Sequence, residues 1–270
     1  MKTNAEKKQS ILITGAYGGM GKATANALVK LGFRVFALDK RVGEETADII
    51  PVEADITDES SVKSAFETVS GQTDGLFAII HFAGIYMLDS LVEMESAEFE
   101  KIFKVNLGGA FLVNKSFLPL LKQGSRIVIT TSELAPLDPL PFTGIYAVTK
   151  SALDKYAYSL RMELQLKGIE VSVLRAGAVS TGMLGVSTSA LDSFHQKTRL
   201  YACNAERFKR IVDKVEARSI TPEELSKKVI RILSKKRQRF SYSINRNPLL
   251  LMLNALPKHL QLWIIKRVLK

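Results

Sequence analysis

The amino-acid sequence predicts an α/β fold: a doubly wound parallel sheet flanked by helices, in a single domain with a C-terminal helical extension. Three observations point there. Short apolar runs alternate with longer amphipathic stretches, the rhythm of parallel strands joined by crossover helices and covered on both faces. A glycine-rich turn, Thr14-Gly15-Ala16-Tyr17-Gly18-Gly19-Met20-Gly21, separates the first apolar run from the first helical stretch. The 270 residues, 46% of them hydrophobic, suffice for one large core without disulfide or metal staples.

The elements follow in order. Ile11–Thr14 reads as the first strand and Gly21–Leu31 as the helix after it. Phe33–Asp39 is a second strand, apolar from Val35 to Leu38 before its last residue, and Ile50–Asp55 a shorter third. Thr57 is placed to cap a helix running to Ser70, with Asp58 and Glu59 in the first turn, where carboxylates favour the helix dipole. Leu76–Phe82 has the continuous apolar run of a central strand. Ser96–Leu121 reads as one long helix, weakened at Gly108-Gly109 by about 1 kcal/mol per glycine. Arg126–Thr131 is a fifth strand, Ile145–Lys167 a second long helix closed by Gly168, and Glu170–Arg175 a sixth strand. After Gly177 the alternation stops. Gly182–Tyr201, rich in Ser, Thr, Gly and Leu, reads as a mobile loop or lid, in which Met183, Leu184, Phe194 and Tyr201 either line a hydrophobic pocket or simply pack. Thr221-Pro-Glu-Glu224 opens another helix with Thr as cap, Pro first and Glu three residues on. Asn247–Lys270 reads as an apolar, basic helical segment.

Composition excludes several classes. The hydrophobic fraction rules out a mostly disordered chain, and 17 Gly with 8 Pro rule out a collagen-like one. The single cysteine, Cys203, has no internal partner, and a reducing cytoplasm is the expected compartment. The first ten residues lack the apolar core of a secretory signal, and no uncharged apolar run is long enough to span a bilayer. His81, His195 and His259 are too dispersed to suggest a metal site, and none is expected. The net charge of +11 is concentrated at one end: residues 201–270 carry 17 Lys/Arg against 5 Asp/Glu, and no acidic residue follows Glu224. No nucleic-acid-binding module surrounds these cations, so nucleic acid is not an expected partner. The apolar runs beside them suit a membrane interface, a cover over a substrate mouth or a subunit contact.

In the glycine turn, glycine permits positive φ and close approach of the backbone to a pyrophosphate, which the following helix N-terminus stabilises. Asp39 ends the second strand 18 residues after Gly21. A carboxylate there accepts from both ribose hydroxyls of an adenosine and repels a 2′-phosphate, the pattern of a Rossmann-like dinucleotide site that prefers NAD. Lys40 and Arg41 follow at once, and they keep NADP open.

Tyr146-Ala-Val-Thr-Lys150 sets a phenol and an ammonium at i and i+4 on one helix face. A cation nearby favours the phenolate, so the pairing predicts a lowered tyrosine pKa and a general acid/base for alcohol and ketone chemistry. Ser132 follows the fifth strand at the sheet edge where open α/β folds bind ligands, and its hydroxyl can stabilise charge on a substrate oxygen.

With these motifs in this order, residues 11–181 resemble the short-chain dehydrogenases/reductases of the TGxxxGxG and YxxxK group. The resemblance implies that Gly15, Gly19 and Gly21 hold the pyrophosphate, with Tyr17, Gly18 and Met20 in the same turn, and that Asp39 takes the adenosine ribose. It puts Asp55 and Ile56 beside adenine, Ala83 and Gly84 along the cofactor, and Val179 and Thr181 at the carboxamide. Ser132, Tyr146 and Lys150 become the catalytic trio, Lys150 also gripping the nicotinamide ribose, and Asn106 helps hold a water relay to that lysine. Three positions depart from the family pattern. His81-Phe-Ala-Gly84 replaces an Asn-Asn-Ala-Gly that braces the central strand. The segment between Ser132 and Tyr146 is one residue longer than usual, with Glu133 after the serine and Thr131 as the nearest alternative hydroxyl. Ala176-Gly177 replaces Pro-Gly.

The expected protein is thus one domain over 1–270: a cofactor-binding and catalytic core at 10–181, a substrate lid at 182–220 and an apolar basic extension at 245–270. The implied activity is hydride exchange between NAD, or NADP, and a secondary alcohol or ketone on a bulky hydrophobic substrate, with hydroxysteroids or bile acids first. Reduction of 3-oxoacyl thioesters, or NAD(H) sensing without turnover, are the alternatives. By resemblance a homodimer or homotetramer is expected.

Overall fold

The computed structural model describes residues 8–216 and 218–270, the side chains of 182–189 and 213–216 lying outside that description. Seven strands form one sheet in the order β3-β2-β1-β4-β5-β6-β7, every neighbouring pair parallel. They are β1 (Ser10–Thr14), β2 (Arg34–Asp39), β3 (Ile49–Glu53), β4 (Leu76–His81), β5 (Leu121–Ser132), β6 (Glu170–Ala176) and β7 (Ser241–Ile244). The chain winds outward from β1 to β3, then returns to lay β4 against the other side of β1. That reversal opens a crevice at the carboxyl ends of β1 and β4, where ligands of such sheets bind.

Both faces of the sheet are dry. On one, α1 (Gly19–Lys30) and α8 (Pro222–Leu233) pack on Ile11, Ile13, Val35 and Ile80. On the other, α2 (Glu59–Ser70), α4 (Gly109–Phe117) and α5 (Gly144–Leu164) cover Leu12, Phe36, Ile79 and Ile127. Alternate residues of one strand thus enter opposite cores, which is why the middles of β1, β2 and β4 are apolar.

Several boundaries differ from expectation, each for a local reason. Asp58, not Thr57, caps α2: its carboxylate accepts from the Ser60 amide at 2.9 Å, while the Thr57 hydroxyl donates to Asp55 at 2.7 Å. The long helix expected from Ser96 to Leu121 is α3 (Ser96–Phe103), a π-helical turn at Lys104–Gly108, α4, and a 3-10 turn ending at Leu120, after which β5 begins. Gly109 serves a contact there, since a methyl group on it would lie 2.4 Å from Ile56 Cδ1. Gly168 closes the segment as expected, after α5 and a 3-10 turn at Gln165–Lys167, with φ at 70°. The capping box at Thr221 and Glu224 also forms.

Beyond β6, the mobile loop expected at Gly182–Tyr201 is instead helix α6 (Gly182–Lys197), followed by α7 (Ala202–Glu216). Leu191, Phe194, Ala205 and Phe208 form a small third core under these helices. β7, which no sequence feature announced, extends the sheet past β6. The C-terminal segment is two helices, α9 (Pro248–Ala255) and α10 (Lys258–Leu269), parted at Leu256-Pro257.

Candidate active site

The glycine turn lies in the crevice between β1 and β4. Gly15 has φ of 68°, and a side chain on it would strike the backbone of Ala83 at 2.6 Å. A methyl group on Gly21 would sit 2.1 Å from the Gly15 carbonyl oxygen, so the turn can fold against α1 only with glycine there. No side chain caps α1 and no carboxylate occupies its first turn, which leaves an electropositive helix N-terminus facing the crevice. From it runs a cleft of about 960 Å³ lined by Gly15, Tyr17, Gly18, Gly19, Met20, Gly21, Asp39, Asp55, Ile56, Ala83, Gly84 and Thr181.

The far end of this cleft is acidic and fixed. Asp39 accepts from the Tyr17 amide at 2.9 Å and from the Lys40 amide at 2.8 Å, so its carboxylate is held at the rim. Lys40 reaches across to Asp55 at 2.7 Å. That bond and those from Thr57 hold the Asp55 carboxyl down to about 2. Lys40 is therefore paired, although its side chain stays exposed, and Arg41 beside it is exposed as well. The Tyr17 hydroxyl is buried with no hydrogen-bond partner. An uncapped helix N-terminus, a glycine floor and a fixed carboxylate along one long cleft fit a dinucleotide.

The cleft's other end meets a smaller cavity of about 230 Å³, with Phe82, Gly84, Thr181 and Met20 shared between the two. Its walls include Ser132, Glu133, Tyr146, Lys150 and Val179, together with apolar Leu134, Leu140, Phe208, Ile211, Val212 and Leu250. Ser132, Tyr146 and Lys150 thus line one cavity, and Lys150 Nζ lies beside Gly84, which both spaces share. Lys150 is buried with its ammonium 5.7 Å from the centre of the Tyr146 ring. Burial pulls that lysine down to about 8. The tyrosine departs from expectation: its pKa is pushed up, not down. Burial is the main cause and Tyr86, whose ring centre is 4.9 Å away, adds to it, while a hydrogen bond with Ser132 partly offsets both. In the protein without ligands the phenol is a proton donor.

Asn106 explains the π-helical turn. Its side chain accepts from the Ile85 amide at 2.8 Å and donates to the Ile85 carbonyl at 3.0 Å and to Thr149 Oγ1 at 3.1 Å. Thr149 in turn donates to the Tyr146 carbonyl at 2.8 Å. A methyl group on Gly84 would be 3.1 Å from Asn106 Oδ1 and 3.3 Å from Lys150 Nζ, so these groups converge over that glycine. A π turn at such a place widens the helix enough to aim one side chain inward.

Two of the departures from the family pattern have structural partners. His81, buried at the end of β4, contacts Asn114 of α4 at 2.9 Å, and Asn114 donates to the Tyr156 hydroxyl at 3.2 Å. The central strand is therefore still braced, by an imidazole in place of an amide. Burial holds that imidazole down to about 4, against the opposing Asn114 contact. Thr131 is occupied elsewhere: it donates to Asp154 at 3.3 Å, where Arg175 also binds with both ends of its fork, at 3.0 and 2.7 Å. Glu133 is buried beside Ser132 and its carboxyl is pushed up by burial, although it accepts from the Asn247 amide at 2.6 Å.

Of the two readings open for the lid residues, Phe194 and Tyr201 follow the packing one. Phe194 and Tyr201 do not line the small cavity but pack on Phe142, with ring centres 4.6 and 5.3 Å away. Phe142, at φ of 65°, stands just before α5 and so ties α6 and the segment after it to α5. The side chains of Met183 and Leu184 lie outside the described residues. Phe208, Ile211, Val212 and Leu250 were missed, because nothing in their local sequence marks a cavity wall. Among the described residues no cluster of His, Cys, Asp or Glu is arranged to hold a metal ion.

Comparison with known proteins agrees with this geometry. The family model for short chain dehydrogenases matches residues 9–192. Estradiol 17-beta-dehydrogenase 2 of Mus musculus is 33% identical over 192 residues, covering 66% of this chain and 50% of that protein. The chain therefore spans about half the length of that curated relative. The 3-ketodihydrosphingosine reductase of Bacteroides thetaiotaomicron is 26% identical over 233 residues, covering 86% of each. Among solved structures, a short chain dehydrogenase family protein from Francisella tularensis superposes with a TM-score of 0.74 at 20% identity, over 88% of this chain and 97% of that one. A 3-ketoacyl-(acyl-carrier-protein) reductase from Brucella melitensis, complexed with NADH, gives 0.71 at 21% identity over 87% and 96%.

Proposed function

Because the chain belongs to the short chain dehydrogenase family, we propose that it is an NAD(P)-dependent oxidoreductase that interconverts a secondary alcohol and a ketone on a bulky hydrophobic substrate. The observation that carries this reading is the position of Tyr146, Ser132 and Lys150 where the dinucleotide-shaped cleft opens into an apolar cavity.

A nicotinamide dinucleotide bound in the cleft supplies the hydride donor or acceptor. The chain's own groups do the rest. Gly15, Gly18, Gly19 and Gly21 admit the diphosphate to the N-terminus of α1, Asp39 takes the adenosine ribose, and Asp55 and Ile56 flank the base. Ala83, Gly84, Val179 and Thr181 line the stretch leading to the catalytic groups. Asp39 favours NAD, and Arg41 is the group that would receive a 2′-phosphate. Ser132 orients the substrate oxygen by a hydrogen bond, and Tyr146 exchanges a proton with that oxygen as general acid or base. Lys150 places a positive charge beside the phenol, and Asn106 keeps Gly84, Ile85 and the Tyr146 turn of α5 in register.

Hydroxysteroids, bile acids and related lipids are the substrate class we favour. The apolar walls of the cavity support it, and so do the relatives named for estradiol and for 3-ketodihydrosphingosine. Residues 1–270 would act as one domain, with 182–220 as lid and 245–270 as extension. Exposed Phe111 on α4 and Val148, Tyr158 and Met162 on α5 support a homodimer or homotetramer built on those helices. The lone cysteine supports a cytoplasmic location, and the C-terminal segment supports peripheral contact with a membrane. No described helix is long and apolar enough to cross one.

The test is a nicotinamide-absorbance assay with both cofactors against hydroxysteroids, bile acids, lipid alcohols and the matching ketones. Turnover on one of these is expected. Tight NADH binding without turnover on any of them, or on 3-oxoacyl thioesters, would point instead to a sensor.

A further inference from the structure

The C-terminal helix pair is fixed in place, yet it presents apolar side chains to solvent. It is tied to the segment that follows Ser132 by three contacts. Glu133 accepts from the Asn247 amide, Asn254 accepts from the Asp138 amide at 2.8 Å, and Lys258 pairs with Asp138. Gln261 closes the corner between the helices by donating to the Leu256 carbonyl at 2.8 Å, and Asn204 of α7 donates to the Leu269 carbonyl at 2.7 Å. The inner face of α10 carries buried Gln261 and Leu269. The outer surface of the pair carries Leu249, Met252, Leu260, Leu262 and Trp263, between 41% and 68% exposed. Around these stand exposed Lys266, Arg267 and Lys270, and residues 225–270 hold no carboxylate side chain at all.

From this surface we infer that α9 and α10 form a preformed platform that seats the protein on an anionic phospholipid bilayer, with α9 as the wall through which an apolar substrate passes between lipid and the catalytic cavity. Charge selects the occupant. A second copy meeting this face symmetrically would bring Lys266, Arg267 and Lys270 against their own kind, and residues 225–270 offer no carboxylate side chain to answer them, whereas anionic headgroups neutralise them. Chemistry agrees with charge: tryptophan, leucine and methionine ringed by Lys and Arg is the side-chain set of a segment lying at the headgroup boundary. Position gives the platform its use. Leu250 lines the cavity beside Tyr146, while its neighbours Leu249 and Met252 face outward, so one helix separates the cavity from the apolar surface. The substrate-transfer half of this inference rests on the alcohol and ketone reading above; the docking half does not.

The experiment uses the full chain and its only tryptophan, Trp263, which is 62% exposed. Vesicles of phosphatidylcholine, with and without phosphatidylglycerol, are mixed with the protein, and both co-sedimentation and Trp263 emission are read. Binding to the anionic vesicles is expected to exceed binding to the neutral ones by about tenfold or more, with a blue shift of Trp263 emission and protection from acrylamide. The double variant Met252→Glu, Leu262→Glu alters two exposed positions. It should lose vesicle binding and keep its turnover of a small water-soluble alcohol, while losing several-fold in turnover of a substrate dissolved in the vesicles. Absence of vesicle binding overturns the inference, and so does binding with unchanged Trp263 emission, which would place the lipid on another basic surface. A blue shift that rises with protein concentration in the absence of lipid overturns it in favour of a second copy. Vesicle binding with Trp263 shielded supports the platform even where no substrate turns over, and that outcome counts against the oxidoreductase reading alone.

Discussion

The ammonium of Lys150 lies 5.7 Å from the centre of the Tyr146 ring, over its face, and both side chains stand on one turn of α5. Opposite changes in acidity accompany this placement. Burial makes the phenol harder to deprotonate and the ammonium easier, so the ligand-free site holds a neutral proton donor beside a weakened cation. Such a placement costs stability, since a buried charge without a carboxylate partner is unfavourable.

Replacing Lys150 by Met should therefore stabilise the fold while removing activity. The lysine is held at about 8 in the folded chain against 10.5 in its ordinary state. Below pH 8 both states are protonated and the buried charge exerts its full penalty; between 8 and 10.5 the unfolded chain binds more protons, so stability rises with pH. The penalty at neutral pH is of order 3 kcal/mol or less. Denaturant unfolding at pH 7 should show Lys150→Met more stable than the native chain, with less gain in stability on going from pH 8 to 10. A less stable variant would contradict this.

His81 has a different signature. Its imidazole is held at about 4 when folded, and the unfolded value is 6.5. Stability is complete above pH 6.5 and declines as the pH falls toward 4, because the unfolded ring takes the proton first. The full loss is of order 3 kcal/mol. In His81→Phe that decline should flatten, while stability at pH 7 drops by about 1–3 kcal/mol because Asn114 Oδ1 loses its partner. Urea titrations at pH 7 and pH 5 read both effects.

Asp39 should govern cofactor choice. Two backbone amides fix its carboxylate at the cleft rim, and Lys40 is occupied by Asp55, so repulsion of a 2′-phosphate is opposed chiefly by Arg41. In Asp39→Ser the ratio of kcat/KM for NAD over NADP should fall at least about tenfold. The further change Arg41→Ala should raise it again. An unchanged ratio in Asp39→Ser would remove this residue from cofactor selection.

Much of this was legible in the sequence. Most of the first six strands was, because a stretch buried on both faces must be apolar, as Ile79 and Ile80 of β4 are, whereas β5 begins at Leu121 through polar residues 122–125 that do not read as strand. The glycine turn was legible because no other residue fits at Gly15 or Gly21. By contrast, β7 is the four-residue stretch Ser-Tyr-Ser-Ile at the sheet edge, too short and polar to read as a strand. Helix α6 contains residues of weak helix propensity and is held by distant partners: Glu93 accepts from the Thr198 hydroxyl and the Arg199 amide just past its end, and Lys197 pairs with Asp89. The direction of the Tyr146 shift was missed because spacing shows the lysine four residues away but neither the depth of burial nor Tyr86, which arrives from the loop after β4.

The most direct test of the catalytic role is Tyr146→Phe, assayed by nicotinamide absorbance on a hydrophobic alcohol or ketone that the native chain turns over, with cofactor binding followed in parallel by fluorescence titration. The phenol hydroxyl is the only group removed, so turnover should fall by about a hundredfold to ten-thousandfold while the cofactor binds as before. Turnover close to that of the native chain would contradict the assignment of Tyr146 as the acid and base of this site.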